Sequence, residues 1–522
     1  MNSKNIIPIL LLVIVVALGG YLLYDYEEIF EEIEDKELIV GTTDTATTLD
    51  PADSYDYFSS AILYNSLDTL VGYEPGTDEL EGNIATDWEI EEGGEVYSFE
   101  LRDDVYFQNG EHLTAEDVKF SLERARDLEG MPSSLVAGID KVVVLNDYEL
   151  EIHLENPSIP FLSKLAYTVA GIVPKEYYPE NEFRNESVIG SGPYEVVEWV
   201  PGERVVFEEN EYYWGDSPEA ERVEINILDS SEELKTAMDT GQLDLAYRTI
   251  KPTHMEELRL SENVETKSFE SPEIRYIVLD AMKEPFDDVN ARRGIAYAVD
   301  REEIVEEVYM NERYPLYSMV PSGMWSHQPV FEDVYGDYQD LDYATDELEE
   351  AGYSEEEPLE ITLWYTPSHY GDLEIDLANK LKEQLEMTGM IDVTVESEVW
   401  EKFTGRMGDD FKMHLLGWYP DFYDPDNYLS PFLQSEASSF IGSHYADEEM
   451  DQMLAEQRQI ISHDERTDKF INIQEKLAEE APYIPLVQGE QFAAFEPEIE
   501  SESVRLGPVQ IFRYYTIRKE DW

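Results

Sequence analysis

One carboxylate sits among aromatic side chains: Asp421, with Trp418, Tyr419, Phe422 and Tyr423 as chain neighbours. An aromatic-walled cleft with one charge suits a small cation, or the ammonium end of a larger ligand. The same grouping fits a loop cluster whose aspartate caps a backbone turn. The residues alone leave both readings open. The run Asp421-Phe-Tyr-Asp424-Pro-Asp426-Asn427 is rich in oxygen donors. It lacks the alternating spacing, central glycine and closing glutamate of a calcium loop.

Motifs of covalent chemistry are missing. There is no G-x-x-x-x-G-K-[ST] to cradle a nucleotide, no G-x-S-x-G elbow, and no H-E-x-x-H among the eight histidines. Gly190-Ser191-Gly192 lacks the third glycine of a dinucleotide fingerprint, and Pro193 after it suits a turn. The 117 Asp and Glu offer countless carboxylate pairs, so abundance alone says little for a glycosidase. No cysteine is present, which excludes disulfides, thiolate metal sites, a Cys nucleophile and lipidation through Cys.

The elements that must position such a site are readable in outline. Leu38-Ile39-Val40 before Gly41-Thr42-Thr43 reads as a buried strand ending in a loop. From Glu95 to Arg102, Tyr97, Phe99 and Leu101 share one face of a strand. Asn109-Gly110 marks a turn, and Thr114 with Asp117 reads as a capping box opening a helix. Glu203–Glu208 is a strand after the Pro201-Gly202 turn. Residues 287–309 carry a helical pattern with an Asp300 cap within it, and Asp376–Met387 is a helix with Leu377, Leu381 and Leu385 inward. Interspersed strands and helices give an α/β or α+β class without solenoid repeats.

Composition narrows the role. The chain has 522 residues, 36 Lys+Arg against 117 Asp+Glu, and a net charge of −81. Such a surface excludes nucleic-acid binding and disfavours anionic lipid heads. Hydrophobic residues at 42% and aromatics at 12% supply a core that a disordered acidic chain would lack. The acid is spread over the whole body, so self-repulsion requires screening. At ~1 M salt the Debye length is ~3 Å, which points to a halophilic, archaeal source. Ile6–Tyr24 is uncharged and long enough to span a bilayer. Lys4 precedes it and acids follow, which turns the body outward. We read residues 1–24 as an uncleaved anchor and 25–37 as an acidic stalk; cleavage after Gly19 is the alternative.

An ordered set of segments resembles the family 5 extracellular solute-binding proteins, the dipeptide- and oligopeptide-binding proteins of ATP-binding-cassette importers. It begins with Thr48-Leu49-Asp50-Pro51-Ala52 and LYNSLDTLVGYEPGTDELEGNIATDWEI from Leu63. LRDDVYFQNGEHLTAEDVKFSL (101–122) and GSGPYEVVEWVPGERVVFEENEYYWG (190–215) follow. FDDVNARRGIAYAVDREEIVEEVY (286–309), GWYPDFYDPDNYLSPFL (417–433) and Ala481-Pro-Tyr-Ile-Pro-Leu486 complete it.

The resemblance implies an α/β, type II periplasmic-binding-protein-like fold of two lobes with an inserted domain. Mapped here, lobe I is 38–68, 185–272 and 484–522, the inserted domain is 69–184, and lobe II is 273–483. It implies that Asp421 pairs with a peptide's α-ammonium. Trp418 and Trp400 are cleft aromatics by the same likeness, and Tyr419 lends backbone hydrogen bonds. Dipeptide-specific members carry an arginine after Trp-x-x-Pro; here Trp364–Pro367 is followed by Ser368-His369-Tyr370. That departure favours longer peptides. The expected protein is a monomeric, membrane-anchored, non-enzymatic receptor on the extracellular face, without cofactor or metal. It passes peptides to a permease whose ATPases are separate cytoplasmic subunits. The alternatives are the same fold binding an oligosaccharide, nickel chelate or other solute, an extracellular hydrolase, or a surface structural protein.

Overall fold

Alternating apolar residues build strands where the sequence reading expects them. Leu38 and Val40 are buried in the Glu37–Thr42 strand. Tyr97, Phe99 and Leu101 are buried along Val96–Leu101. Arg204–Glu209 follows the Pro201-Gly202 turn. The Ala115–Asp127 helix opens on the capping box, Asp117 Oδ2 accepting the Thr114 N–H at 3.0 Å and its hydroxyl at 2.8 Å. The pattern over 287–309 is two helices, Val289–Tyr297 and Arg301–Glu307. Asp300 caps the second by accepting the Glu303 N–H at 2.9 Å. The Leu377, Leu381 and Leu385 stripe is buried on Glu374–Glu386. This computed structural model describes residues 36–522 except Glu92, Thr249, Ser368, Gly371, Asp372 and Asp521.

The principal sheet has eleven strands. Across it run Ile391–Ser397, Leu359–Tyr365, Met413–Trp418, Glu265–Leu279 and Tyr483–Phe495. Leu245–Tyr247, Glu37–Thr42, Arg222–Ile227, Arg204–Glu209 and Tyr194–Val200 continue it, and Tyr314–Pro315 adds to Tyr483–Phe495. The two long strands at the centre are antiparallel and each serves two cores. Glu265–Glu270 pairs with Phe495–Glu490; the register then slips, and Ile274 resumes opposite Gln488. Pro272 sits in the slip, where it has no N–H to give a ladder.

On one side of the slip, Ile277, Leu415, Leu429, Phe432 and Tyr483 share a core. On the other, Leu38, Val40, Phe207, Leu245 and Phe495 share another. A third core, including Tyr97, Phe99, Leu122 and Phe161, covers the four-stranded sheet of Ala85–Glu91, Val96–Leu101, Glu149–Leu154 and Ile139–Asn146. Gly190 and Gly192 answer a close approach of backbones. A Cβ at Gly190 would lie 2.4 Å from the Ser66 carbonyl oxygen, and one at Gly192 2.6 Å from the Ser66 carbonyl carbon. The expected anchor and most of the stalk lie outside the described residues. Among the described residues, no helix is long and apolar enough to cross a membrane.

Candidate ligand-binding site

The Met413–Trp418 strand delivers the aromatic-rich loop to a cleft between the two halves of the sheet. Asp421 follows it, half-buried. Its Oδ2 accepts the Tyr55 hydroxyl at 3.2 Å and the Asn427 amide at 3.3 Å. Asn427 Oδ1 in turn accepts the Trp418 indole N–H and the Asp421 backbone N–H, each at 3.1 Å. Crowding by protein pushes the Asp421 carboxyl up to about 6; Asn427, Tyr55 and the charge of Lys164 oppose that rise. The carboxylate is therefore ionised at neutral pH and held in a fixed orientation.

Beside this loop lies a cavity of about 730 Å³. Asp44, Arg248, Lys251 and His254 line one side, and Arg313, His369, Tyr370 and Tyr419 the other. Glu273 and Glu374 form part of its wall. Its two arginines are committed to carboxylates, Arg248 to Asp44 and Arg313 to Glu273. Arg248 Nη1 lies 2.9 Å from Asp44, with its guanidinium 4.0 Å over the Tyr57 ring. Buried Arg275 lies 2.9 Å from Glu273 and 3.1 Å from Glu374, and stacks 3.8 Å from the Tyr370 ring. Burial would raise Glu273, but Arg275 and Arg313 outweigh it and hold this carboxyl below the usual range. Burial wins at Glu374, whose Oε2 has no hydrogen-bond partner among the described residues, and pushes it up. Gly417 is needed here, because a Cβ would lie 1.6 Å from Arg275 Nη1.

The four expected ligand residues fall at different places. Asp421 stands at the Tyr55 side of the cleft. Tyr419 lines the cavity, with its hydroxyl 3.4 Å from Arg248 Nη2. Trp418 is half-buried, edge-on to Phe432 at 5.2 Å, and anchors the loop through Asn427. Trp400 opens the Trp400–Met407 helix and stacks flat on His369 at 3.7 Å. It supports the cavity wall through that ring. Asp424 and Asp426 do not resemble calcium ligands. Asp424 takes a bidentate bond from buried Arg466 at 2.6 and 2.7 Å, and Asp426 Oδ1 lies 3.2 Å from Arg458.

One grouping looks catalytic on distance alone. Ser231 Oγ meets His254 Nδ1 at 2.8 Å, and Glu232 lies 3.1 Å from His254 Nε2. The Ser231 hydroxyl is buried, however, and accepts the Lys251 N–H at 2.8 Å. It joins two helix starts, and Ser231 and His254 both line the cavity.

Sequence reasoning missed Tyr55, Arg248, Glu273, Arg275 and Glu374. Glu273 and Arg275 carried a signal: two opposite charges inside Ser271-Pro-Glu-Ile-Arg-Tyr-Ile-Val-Leu279, an otherwise apolar strand. Buried charges are rare unless paired, so that stretch announced an ion pair. Tyr55 gave none, because its partner lies 366 residues away.

Separate cores sharing two central strands, with a fixed carboxylate and aromatic rings in the gap, define a protein that holds a small polar solute between its halves. Known proteins agree. The family model described as bacterial extracellular solute-binding proteins, family 5 Middle, matches residues 79–440, and the chain belongs to that family. A probable D,D-dipeptide-binding periplasmic protein of Escherichia coli is 25% identical over 498 residues, covering 92% of this chain and 94% of that one. An ABC transporter-associated periplasmic binding protein from Helicobacter pylori, solved with the peptide STSA, superposes with a TM-score of 0.79 at 24% identity, covering 93% and 98%. A Campylobacter jejuni protein solved with Ni(L-His) gives 0.79 at 24%, covering 93% and 100%. The fold is the two-lobed α/β arrangement of periplasmic binding proteins, and the family acts outside the cytoplasm by binding solutes.

Proposed function

We propose that this chain is an outward-facing receptor that captures oligopeptides in the cleft and hands them to an ATP-binding-cassette permease. It performs no covalent step. The observation that carries the reading is Asp421: an ionised, half-buried carboxylate whose Oδ2 is clamped and whose Oδ1 is reached by no donor among the described residues. It would take the peptide's ammonium. Tyr419 would line the bound chain, while Trp418 and Trp400 would shape the walls. The cavity of about 730 Å³ lies within the ~300–1,000 Å³ of pockets that enclose drug-sized ligands. The two arginines lining it, Arg248 and Arg313, already face Asp44 and Glu273. That supports peptides longer than two residues.

The register slip between Glu270 and Ile274 supports a lobe boundary near residues 272/273, with 273–483 as lobe II and 69–184 as the inserted domain. The apolar Ile6–Tyr24 segment supports a membrane anchor, and the charge of −81 a salt-rich habitat. The monomeric state rests on the resemblance alone. The Ni(L-His) neighbour makes a metal chelate the competing ligand.

The deciding experiment is mass spectrometry of ligand released from purified residues 36–522 held in molar salt. A ladder of short peptides is the expected result. A sugar or a metal chelate would overturn the peptide assignment and leave the fold in place. If the cleft emerges empty, calorimetry with tri- to pentapeptides replaces the extraction, and absence of saturable binding would refute the reading.

A further inference from the structure

The Asp421 loop is gripped from across the cleft at several points. The Phe422 ring is buried in the third core, beside Phe161, Leu165 and Tyr167. The Lys164 ammonium lies 5.3 Å over that ring. The Tyr423 N–H donates to the Tyr73 hydroxyl at 3.0 Å. Each contact joins the loop to residues more than 250 positions earlier in the chain. One of them touches the carboxylate itself: Tyr55, in the turn before the Tyr57–Ser66 helix, donates to Asp421 Oδ2. Asn427 holds the same oxygen from the loop's own side.

We propose that Tyr55 is a positioning residue of the ammonium site: its hydroxyl pins Asp421 Oδ2 across the cleft, turns Oδ1 toward the ligand, and makes amino-end recognition conditional on the halves having closed. The inference rests on the reading of Asp421 as the ammonium partner. It adds that half of the site lies on the opposite wall. An open cleft presents a carboxylate held by Asn427 alone, free to rotate. A closed cleft presents one fixed from both sides, which lowers the ordering cost of binding. A peptide with a free amino end then stabilises the closed form more than a blocked one does.

Tyr55→Phe tests this, because it removes one oxygen and keeps the ring and its edge contact with Tyr167 at 6.4 Å. Two readouts are needed. The first, without ligand, is the titration of the Asp421 carboxyl followed by carbon-13 NMR. The Tyr55 hydrogen bond favours the ionised form, so Y55F moves the midpoint upward from about 6. Lys164, Tyr64, Tyr167 and Tyr428 are the other ionisable groups facing this carboxyl, and all stay in place. The second is calorimetry in molar salt with tetra-alanine and its N-acetyl form. A hydrogen bond to a charged group supports a roughly tenfold loss for the free-amino peptide, with the acetylated one unchanged.

An unmoved midpoint, or a free-to-acetyl preference that Y55F keeps whole, overturns the role of Tyr55 alone. A wild type that binds both peptides equally overturns the reading of Asp421, and this inference falls with it. The two failures are therefore told apart by the wild-type ratio.

Discussion

Asp421→Asn is the sharpest test of the site, and its size follows from the geometry. An ammonium about 3 Å from the carboxylate, at an effective dielectric of about 20, is attracted by about 5.5 kcal/mol. Desolvation of both charges opposes this. Truncating one partner of a desolvated pair in known interfaces costs about 2–5 kcal/mol. Asp421 is half-buried and one of its oxygens is already held by Tyr55 and Asn427. About 3 kcal/mol is therefore expected, or roughly 150-fold in Kd. Ionising the wild-type carboxyl adds almost nothing at pH 7.5, since it titrates near 6. The assay is calorimetry of wild type and D421N with one tetrapeptide, free and N-acetylated. D421N should weaken the free peptide by that factor and leave the acetylated one within about twofold. Stability gives an independent control. A carboxyl raised by folding contributes most below its unfolded pKa and loses that contribution as pH rises through about 6. D421N should thus melt no lower than wild type at pH 7.5. Equal losses for both peptides, or a fall in Tm, would refute the charge-pairing argument.

Three further outcomes are expected. Affinity for a free-amino peptide should be flat from about pH 6.5 to 7.5 and fall up to tenfold per unit below about 6, as Asp421 protonates; a flat profile from pH 5 to 7, by calorimetry, would contradict this. Arg466→Met should destabilise by about 3–5 kcal/mol in denaturant unfolding, because it strands buried Asp424 without its bidentate partner; a loss under about 1 kcal/mol would show the pair to be incidental. Tm should climb steeply from 0.1 to 2 M salt, as the Debye length drops from ~10 Å to ~2–3 Å around a charge of −81; a salt-independent Tm would remove the argument for a salt-rich habitat.

The sequence was most legible where order is local. The alternation of Tyr97, Phe99 and Leu101 and the Thr114–Asp117 box each need only a few consecutive residues, and each formed as read. The span 287–309 divided because Asp300 caps a new helix rather than continuing the old one. The Asp421 loop was legible by composition and by resemblance. Its partners were not. Tyr55 and Arg248 reach the loop through tertiary folding, and no spacing rule links position 55 to 421. Trp400 was read from the resemblance. The stacking of its ring on His369, a partner 31 positions earlier, gave no local signal.

The paired central strands, Glu265–Leu279 and Tyr483–Phe495, have a consequence for how such receptors diversify. The chain leaves one half of the molecule and returns to it through neighbouring rungs, Ile274 opposite Gln488. The strand ladder thus joins the block 274–487 at a single seam, and the block carries a core of its own, while Phe422 reaches across into the third core. A transplant of that block needs two cuts a few ångströms apart. It would bring Asp421, Trp400 and Glu374 to a host that supplies Tyr55, Arg248 and Asp44. Donor and host must share the register slip at the seam and the seat for Phe422 in the third core. Recombination between relatives can then reassort the two walls of the cleft as heritable modules, and ligand range changes without either core being rebuilt.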